Sequence, residues 1–240
     1  MKIVTIIGAR PQFIKAAVVS RAISSFPDIQ EVIVHTGQHF DTNMSDIFFE
    51  EMCIPKPNYN LNINGMTHGA MTGQMLEKIE SILLTEQPDW VIVYGDTNST
   101  LAGALAASKL HIRVAHIEAG LRSYNMNMPE EINRILTDRI SSVLFCPTEQ
   151  AIKNLHQEGF KQFPCTLLNC GDVMQDAALF YANKAKHPDF LLPEHFILAT
   201  LHRAENTDSP ERLQSIIAAL EEIAREMPAV IPIHPRTRKK

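Results

Sequence analysis

Two acidic side chains stand where they could transfer protons, because each directly follows a short apolar run. Asp96 comes just after Trp90–Tyr94, and Glu118 comes just after Val114–Ile117. Short runs rich in β-branched residues are typical of strands that are buried on both faces of a parallel sheet. Ligands of such sheets bind in the crevice at the carboxyl ends of the strands. We therefore expect both carboxylates to face one pocket.

Two further side chains extend this set of candidate proton-transfer residues. Glu130 follows Pro129 in the first turn of a predicted helix, where proline and acidic residues are both favoured. His202 follows a later predicted strand, Phe196–Thr200. Glu and His are the usual acid–base side chains, and carboxylates that crowd together raise one another's pKa. The spacing alone leaves open that Glu130 is a helix-capping acid and His202 an exposed surface residue.

Basic and polar residues follow the first two predicted strands and could hold an anion. Arg10 lies at the turn after Lys2–Ile7, and Lys15 lies further along the predicted helix. A helix N-terminus with two fixed cations suits a diphosphate, although the spacing leaves open that both are solvated surface charges. Gln38 lies in the polar cluster Thr36–His39 after the second strand and could line the same crevice.

Strands and helices alternate along the chain, which indicates an α/β fold with a parallel sheet. Residues 1–184 hold enough elements for one complete domain. Residues 185–194 carry two prolines and several charges without apolar periodicity, so we interpret them as a linker. Residues 195–240 offer too few elements to close a core, so we expect them to be the incomplete start of a second domain.

The apolar periodicity and the turn residues predict the bounds of each element. The predicted strands are Lys2–Ile7, Glu31–His35, Trp90–Tyr94, Val114–Ile117, Val143–Cys146, Thr166–Asn169, Phe196–Thr200 and Val230–Ile233. The predicted helices include Thr42–Glu51, His68–Thr85, Ser99–Leu110, Pro129–Ile140 and Pro210–Glu226. We expect Pro55–Gly65 and Leu201–Ser209 to be loops, because proline, asparagine and glycine or charged residues dominate them.

Composition excludes several classes of function. A net charge of −5 argues against a nucleic-acid-binding surface. No apolar run reaches the length of a membrane span and the N-terminus shows no signal-peptide pattern, so we expect a cytoplasmic protein with no membrane partner. The turn after the first strand has one glycine, Gly8, and so lacks the dinucleotide fingerprint. The four cysteines have no Cys-x-x-Cys spacing, and we expect them to be reduced and mostly buried.

The order and spacing of several motifs resemble those of the non-hydrolysing UDP-N-acetylglucosamine 2-epimerases of bacterial surface-polysaccharide synthesis. The matching motifs extend over essentially the whole chain. They are Gly8-Ala9-Arg10-Pro11 with Lys15, Thr36-Gly37-Gln38-His39, Gly95-Asp96-Thr97, His116-Ile117-Glu118-Ala119-Gly120-Leu121-Arg122, Pro129-Glu130-Glu131-Ile132-Asn133-Arg134, Pro147-Thr148-Glu149, Leu201-His202-Arg203-Ala204-Glu205-Asn206 and His234-Pro235-Arg236. The resemblance implies the GT-B architecture, in which two Rossmann-like domains flank the active site. This chain would hold the first domain and a truncated second one.

The resemblance also implies an activity and a role for each candidate. The reaction would interconvert UDP-GlcNAc and UDP-ManNAc by eliminating UDP and adding it back to the opposite face of the sugar. Asp96, Glu118 and Glu130 would be the acid–base carboxylates, while His202 and Arg10 would steady the diphosphate. Other implied substrate-binding residues are Lys15, Gln38, Arg134, Arg203, His234 and Arg236. No cofactor and no metal are implied, and the full-length protein would be a homodimer.

Two departures from the family pattern affect the substrate and its regulation. The segment Arg122–Pro129 is closer to the branch that acts on UDP-2,3-diacetamido-glucuronic acid sugars than to the plain enterobacterial enzymes. Asp41 and His68 stand where substrate-activated members carry Gln and Arg, so we expect no such activation here.

Three other functions stay open: a GT-B glycosyltransferase, a hydrolysing epimerase, and a non-enzymatic fragment that docks on a full-length subunit. Against the glycosyltransferase, the acids cluster in the first domain, as proton transfer requires.

Overall fold

The computed structural model describes residues 1–38, 54–201, 203–233 and 235–238. These residues form two compact units, Met1–Lys184 and Ala185–Lys240. The predicted helix Thr42–Glu51 lies outside the described residues, and so do His202 and His234. The interpretation of residues 185–194 as a linker stays a prediction.

A parallel sheet of seven strands organises the first unit. Its strands are β1 (Lys2–Ile7), β2 (Gln30–His35), β3 (Tyr59–Asn60), β4 (Trp90–Tyr94), β5 (Arg113–Ile117), β6 (Val143–Cys146) and β7 (Thr166–Asn169). Their order is β3-β2-β1-β4-β5-β6-β7, and every neighbouring pair is parallel. The chain moves outward in one direction from β1 to β3 and in the other from β4 to β7. The order therefore reverses between β1 and β4, which is the point where ligands of open α/β sheets bind.

Helices pack on both faces of this sheet. They are α1 (Arg10–Ile23), α2 (His68–Glu86), α3 (Asn98–Lys109), α4 (Pro129–Ile140), α5 (Glu149–Gln157) and α6 (Val173–Ala182), with a short 3-10 helix at Phe160–Gln162. On one face, Ile79 of α2 and Ala104 of α3 belong to the same apolar cluster as Val4 of β1. On the other face, Phe13 of α1 packs in a second cluster with Ile3 of β1. Successive residues of β1 thus point to opposite faces, and both faces are buried.

The sequence predicted the strands of the first unit well, with one exception. The six predicted strands are confirmed to within one residue at each end. The prediction that Pro55–Gly65 is entirely a loop is wrong, because β3 pairs in parallel with the end of β2. Asn58 N donates to Ile33 O at 2.8 Å, and Leu61 N donates to His35 O at 2.8 Å. Two paired residues are fixed by backbone hydrogen bonds rather than by an apolar pattern, so periodicity did not reveal them.

The described cysteines differ in exposure more than the composition predicted. Cys146, Cys165 and Cys170 are free thiols, but only Cys146 is buried, while Cys165 is half-buried and Cys170 is exposed. Burial, followed by the nearby Asp138, raises the pKa of the Cys146 thiol to about 12. The prediction that the cysteines are mostly buried is therefore wrong for two of the three that are described. Cys165 and Cys170 directly precede and follow β7, which lies at the open edge of the sheet.

The second unit contains one helix of 15 residues and several shorter elements. They are β8 (Ile197–Leu198), α7 (Ala204–Thr207), α8 (Pro210–Ala224), β9 (Ala229–Val230) and α9 (Pro235–Arg238), and the two strands are parallel. Both strands are shorter than predicted, since only two residues of each are paired. The predicted loop Leu201–Ser209 contains α7, which begins right after Arg203. Across both units, none of the described helices is long and apolar enough to cross a membrane.

Candidate active site

Polar turns follow the central strands at the carboxyl edge of the sheet. These turns are Gly8–Arg10 after β1, Thr36–Gln38 after β2, Gly95–Thr97 after β4 and Glu118–Gly120 after β5. All four belong to the strands on either side of the reversal in strand order. The candidate site is therefore built from segments that are far apart in sequence but adjacent in the sheet.

The first feature of the site is an ion pair between Lys15 and Glu118. Lys15 lies in α1, and its Nζ contacts Glu118 Oε2, with side-chain exposures of 8% and 20%. Glu118 has a φ of +70°, a left-handed conformation that residues other than glycine rarely adopt. The N–H groups of Glu118 and Ala119 donate to Phe145 O at 3.1 and 3.0 Å, and these bonds hold the turn. A non-glycine residue that is held in this region is characteristic of functional sites.

Gly95 lies directly beside this ion pair. Its φ is +62°, and a Cβ atom at this position would lie 3.0 Å from Glu118 Oε2 and 3.3 Å from Lys15 Nζ. Any other residue would therefore be strained and would crowd both charged groups. The glycine lets the backbone of the turn after β4 approach the charges directly.

The second feature is an ion pair between Arg134 and Asp96. Arg134 Nη2 contacts Asp96 Oδ2, and the exposures of the two side chains are 14% and 34%. Arg134 Nη1 donates to Glu131 Oε2 at 2.8 Å, so one guanidinium bridges two carboxylates. Asn133 Nδ2 donates to the backbone oxygen of Asp96 at 2.9 Å. Helix α4 therefore holds both the backbone and the side chain of Asp96.

Glu131 is a buried carboxylate that the sequence analysis did not select. It accepts hydrogen bonds from Ser123 N at 3.0 Å and Tyr124 N at 2.8 Å. Burial raises the pKa of Glu131, but the bonds from Ser123 and Tyr124 and the charge of Arg134 more than offset this, so its pKa lies below the usual value. Glu131 thus ties the loop after Arg122 to the residue that holds Asp96. Its neighbour Glu130, the predicted acid–base residue, is exposed, and no described side chain pairs with it.

Asp96 and Glu118 were predicted to crowd each other, but the structure pairs each of them with a cation. The described contacts of Asp96 and Glu118 are with cations, Arg134 and Lys15, rather than with each other. A carboxyl group can take or give a proton. The site can therefore supply two proton-transfer groups, each beside its own cation.

Two backbone N–H groups in the turn that carries Arg10 donate to a side chain of the same segment. Gly8 N and Ala9 N donate to Gln12 Oε1 at 2.8 and 3.0 Å. Gln12 Nε2 in turn donates to Tyr94 O at 2.8 Å. An incoming anion would therefore meet the half-buried Arg10 side chain at the start of α1 rather than these two amides. The sequence analysis missed Gln12, whose place in the first turn of α1 was the available signal.

Gln38 has a structural contact at the start of α3. Its Oε1 accepts hydrogen bonds from Ser99 N at 3.1 Å and from Ser99 Oγ at 2.8 Å. Thr36 Oγ1 and Ser99 Oγ are 2.7 Å apart. A Cβ atom on Gly8 would overlap both hydroxyl oxygens, so this position also requires glycine. The amide oxygen of Gln38 therefore positions α3, and the substrate-binding role of Gln38 stays a prediction.

The remaining predicted residues belong to the second unit. Arg203 is exposed, and its backbone oxygen accepts from Thr207 N at 3.0 Å at the start of α7. Arg236 lies in α9, of which only the backbone is described at that residue. His202 and His234 lie outside the described residues. Their proposed roles stay predictions.

A network of polar side chains extends from buried His116 and Asp138 through Arg122 to half-buried Glu158. His116 Nδ1 lies 2.7 Å from Asp138 Oδ1, and Arg122 Nη1 donates to Asp138 Oδ2 at 2.8 Å. Arg122 also forms two bonds with Glu158, from Nε at 2.6 Å and from Nη2 at 2.8 Å. Burial lowers the pKa of Arg122, but Glu158 and Asp138 together raise it above its usual value. The sequence analysis quoted His116 and Arg122 as motif residues and missed their partners, which are 22 and 36 residues away.

Comparison with known proteins identifies the family. Residues 21–240 match the family model described as UDP-N-acetylglucosamine 2-epimerase. This chain belongs to the UDP-N-acetylglucosamine 2-epimerase family. A family member from Pseudomonas aeruginosa, UDP-2,3-diacetamido-2,3-dideoxy-D-glucuronate 2-epimerase, is 65% identical over 240 residues, covering 99% of this chain and 68% of that protein. The UDP-N-acetylglucosamine 2-epimerase of Methanocaldococcus jannaschii is 48% identical over 250 residues, with 100% and 68% covered.

Solved structures of the family share this fold. The M. jannaschii UDP-GlcNAc 2-epimerase in complex with UDP-GlcNAc and UDP superposes with a TM-score of 0.88 at 48% identity, covering 100% of this chain and 67% of that chain. The Neisseria meningitidis enzyme bound to UDP-GlcNAc also gives 0.88, at 34% identity, with 100% and 68% covered. A Phytolacca americana glycosyltransferase, UGT2, gives 0.55 at 11% identity, which shows the GT-B-type fold alone. The predicted α/β fold and family resemblance are confirmed, and the chain spans about two thirds of the length of the family members it matches.

Proposed function

We propose that this protein inverts the configuration at C2 of a UDP-linked 2-acetamido sugar by eliminating UDP and adding it back. Three kinds of observation support the proposal: the family, the UDP-sugars bound by relatives of known structure, and the geometry of the candidate site. The observation that carries most weight is the pair of carboxylate–cation contacts, Glu118 with Lys15 and Asp96 with Arg134, at the reversal in strand order.

The chemistry of the substrate explains why two carboxylates and several cations are needed. The hydrogen at C2 is not next to a carbonyl group, so direct removal would be very slow. In the proposed elimination, a base takes the C2 proton while the bond between C1 and the diphosphate oxygen breaks. The electron pair of that bond leaves with UDP, and a 2-acetamidoglucal remains. Re-addition of UDP at C1, with a proton delivered to the opposite face of C2, gives the epimer.

The proposed roles follow from charge and exposure. Glu118 and Asp96 are the proton-transfer carboxylates, one for each face of the sugar, with Glu130 as a third and more exposed candidate. Arg10 binds the departing diphosphate, since electrostatic stabilisation of a leaving group is often the largest catalytic contribution. In each direction of the reaction, one of the two carboxyl groups takes the C2 proton and must start ionised, while the other delivers a proton to the opposite face and must start protonated. Lys15 and Arg134 orient these two groups through their contacts. His202, Arg203, His234 and Arg236 are proposed to bind the nucleotide diphosphate, and we propose a homodimer for the full-length protein.

Two sugars are candidates for the substrate. UDP-2,3-diacetamido-2,3-dideoxy-D-glucuronate is favoured by the P. aeruginosa relative, whose identity of 65% exceeds the 48% of the M. jannaschii UDP-GlcNAc enzyme. UDP-GlcNAc is the second candidate, because most of the named relatives are UDP-GlcNAc 2-epimerases. Parallel assays of the full-length gene product with both nucleotide sugars would give the preference as a ratio of kcat/KM values.

The deciding experiment is epimerisation in heavy water. The proton returned to C2 comes from a side chain that has exchanged with solvent, so every turnover should place one deuterium at C2 of the product. Substrate recovered from the mixture should also become labelled over time. Epimerised nucleotide sugar that retains protium at C2 would overturn the proposal. A glycosyltransferase would leave C2 unlabelled, and a hydrolysing enzyme would release UDP in proportion to product.

A further inference from the structure

His116 makes two hydrogen bonds from a fully buried ring. It lies near the end of β5, with the apolar residues Ala115 and Ile117 on either side. Its Nε2 is 2.7 Å from the carbonyl oxygen of Gly95, and its Nδ1 is 2.7 Å from Asp138 Oδ1. A backbone carbonyl oxygen can only accept a hydrogen bond, so the Nε2 atom carries a proton.

Asp138 joins His116 to two further groups. Besides its contact with Nδ1 of His116, it accepts from Arg122 Nη1 at 2.8 Å and from Gly120 N at 3.2 Å, both at Oδ2. The ring of His116 is therefore held at both nitrogens, by Gly95 on one side and by Asp138 on the other.

Arg122 continues the network from Asp138. Its guanidinium lies between the carboxyl groups of Asp138 and Glu158 and forms hydrogen bonds with both. Buried charges are retained in proteins when each is paired and hydrogen-bonded. The side chain that holds Gly120 is therefore itself fixed by a guanidinium that is only 1% exposed.

This network reaches the two turns that carry the proposed catalytic carboxylates. His116 fixes the carbonyl group of Gly95, whose N–H donates to Ile117 O at 2.9 Å, so β5 holds the turn before Asp96 at two points. Asp138 fixes the N–H of Gly120 in the turn that begins with Glu118. His116 of β5 thus holds the turn before Asp96, and Asp138 of α4 holds the turn that begins with Glu118, while the contact between the two side chains orients the ring.

We propose that His116 and Asp138 are positioning residues that hold the turn bearing Asp96 and the turn bearing Glu118 in a fixed relation to each other. The proposal rests on the proposed function, since it assigns these two turns to the catalytic groups. Gly95 is already close enough for an added Cβ to crowd Glu118, so a small shift of this turn would displace the Lys15–Glu118 pair. A misplacement of about 1 Å in an active site can lower the rate about a hundredfold.

Two matched variants separate the two bonds of the ring. In His116→Gln, the amide nitrogen can occupy the position of Nε2 and keep the bond to Gly95. In His116→Asn, the shorter side chain can reach Asp138 but not Gly95. Both variants replace the ring by an amide and lose one bond, so their effects on stability should be similar.

The expected result is a difference in turnover between these variants in the full-length gene product. His116→Asn should lower kcat about tenfold to a hundredfold, while His116→Gln should lose at least about fivefold less. The Kd for UDP should stay within about twofold of the wild-type value in both, because the network does not contact the proposed diphosphate residue Arg10. Rates are expressed per UDP-binding site, so that a loss of folded protein does not count as a loss of turnover. Equal losses in the two variants would overturn the proposal.

Glu118→Gln and the wild-type protein, assayed beside them, distinguish failure of this proposal from failure of the proposed function. If Glu118→Gln is inactive and His116→Asn is as active as wild type, the positioning role is wrong and the proposed function stands. If Glu118→Gln stays fully active, only Glu118 is removed from the mechanism. If the wild-type protein itself epimerises neither nucleotide sugar, the proposed function is wrong.

Nitrogen-15 NMR of histidine-labelled protein provides a test that does not depend on the variants being active. Nε2 of His116 should carry a proton that exchanges slowly with solvent, because the ring is buried and Nε2 donates to the carbonyl oxygen of Gly95. In Asp138→Asn, Nε2 should keep this proton, since its bond to Gly95 does not involve Asp138. An unprotonated Nε2 of His116 in the wild-type protein would overturn the proposal even if every variant failed to fold.

Discussion

The two carboxylate–cation pairs of the candidate site differ in how the fold supports them. The Lys15–Glu118 pair is the more enclosed, with exposures of 8% and 20% against 14% and 34% for Arg134–Asp96. Both turns are bonded to the sheet, and α4 supports both of them, through Asp138 for Glu118 and through Asn133 for Asp96. The pairs differ in their cations, since Lys15 comes from α1, whereas Arg134 comes from α4 and also binds Glu131. We expect substitutions at the enclosed pair to affect turnover most.

The largest effect is expected for Glu118→Gln. This change keeps the size of the side chain and removes its ability to accept a proton, so kcat should fall at least about a hundredfold in the full-length gene product. Substrate affinity, measured by calorimetry, should change little. Turnover close to that of the wild type would remove Glu118 from the mechanism.

A smaller loss is expected for Asp96→Asn. The Asp96 side chain is more exposed, so water can partly replace it as a proton carrier, and kcat should fall about tenfold. Under the same conditions, Glu118→Gln should therefore have a lower kcat than Asp96→Asn. A reversed ranking would show that enclosure does not determine which carboxylate is more important.

Glu131→Gln tests the loop and helix that support the more open pair. The loss of a buried carboxylate that accepts three charge-assisted or backbone bonds should lower the free energy of unfolding at pH 7 by about 1–3 kcal/mol. Urea unfolding, followed by the fluorescence of the single tryptophan, Trp90, measures this change. Glu130→Gln is the matched control, because this exposed neighbour has no described partner and should change stability by less than about 0.5 kcal/mol.

The destabilisation caused by Glu131→Gln should depend on pH. The pKa of Glu131 in the folded protein lies below its usual value of 4.5, so its stabilising contribution is fully present above pH 4.5 and is lost as the pH falls through the folded pKa. The difference in stability between wild type and Glu131→Gln should therefore shrink below pH 4.5. A difference that stays constant into acid would contradict the ionised state of Glu131.

The smallest effect is expected for Tyr124→Phe. Tyr124 Oη donates to Asn154 Oδ1 at 2.9 Å, but the residue is 71% exposed, and water can replace the bond. Unfolding free energy should fall by about 0.5 kcal/mol, less than for Glu131→Gln. A loss as large as that of Glu131→Gln would mean that the side chain, rather than the backbone bonds to Glu131, holds the loop.

The sequence predicted the scaffold of the site better than its contacts. The β-branched runs determine where strands lie, and the residues that follow them, Asp96 and Glu118, had to reach one edge of a parallel sheet. The cation beside each acid depends on which helix residue points into the crevice, and spacing gave no such information for Arg134. Gln38 and Gln12 show the same limit, since each amide binds a backbone group that only the folded chain brings near.

One signal in the sequence was present but was not used. His116 is a polar residue inside an otherwise apolar strand run, and a buried imidazole requires partners for both nitrogens. Its carbonyl partner is 21 residues away and its carboxylate partner 22 residues away. The sequence could therefore have predicted that His116 has buried hydrogen-bond partners, although it could not identify Asp138 as one of them.

The enclosed pair of Arg122 and Asp138 also constrains how the protein can evolve. The two side chains are 1% and 0% exposed, so a single substitution at either position leaves an uncompensated charge in the interior, which costs about 3–5 kcal/mol. A lineage that changes one of these positions must therefore change the other at nearly the same time. Across family members, substitutions at Arg122 and Asp138 are expected to occur together.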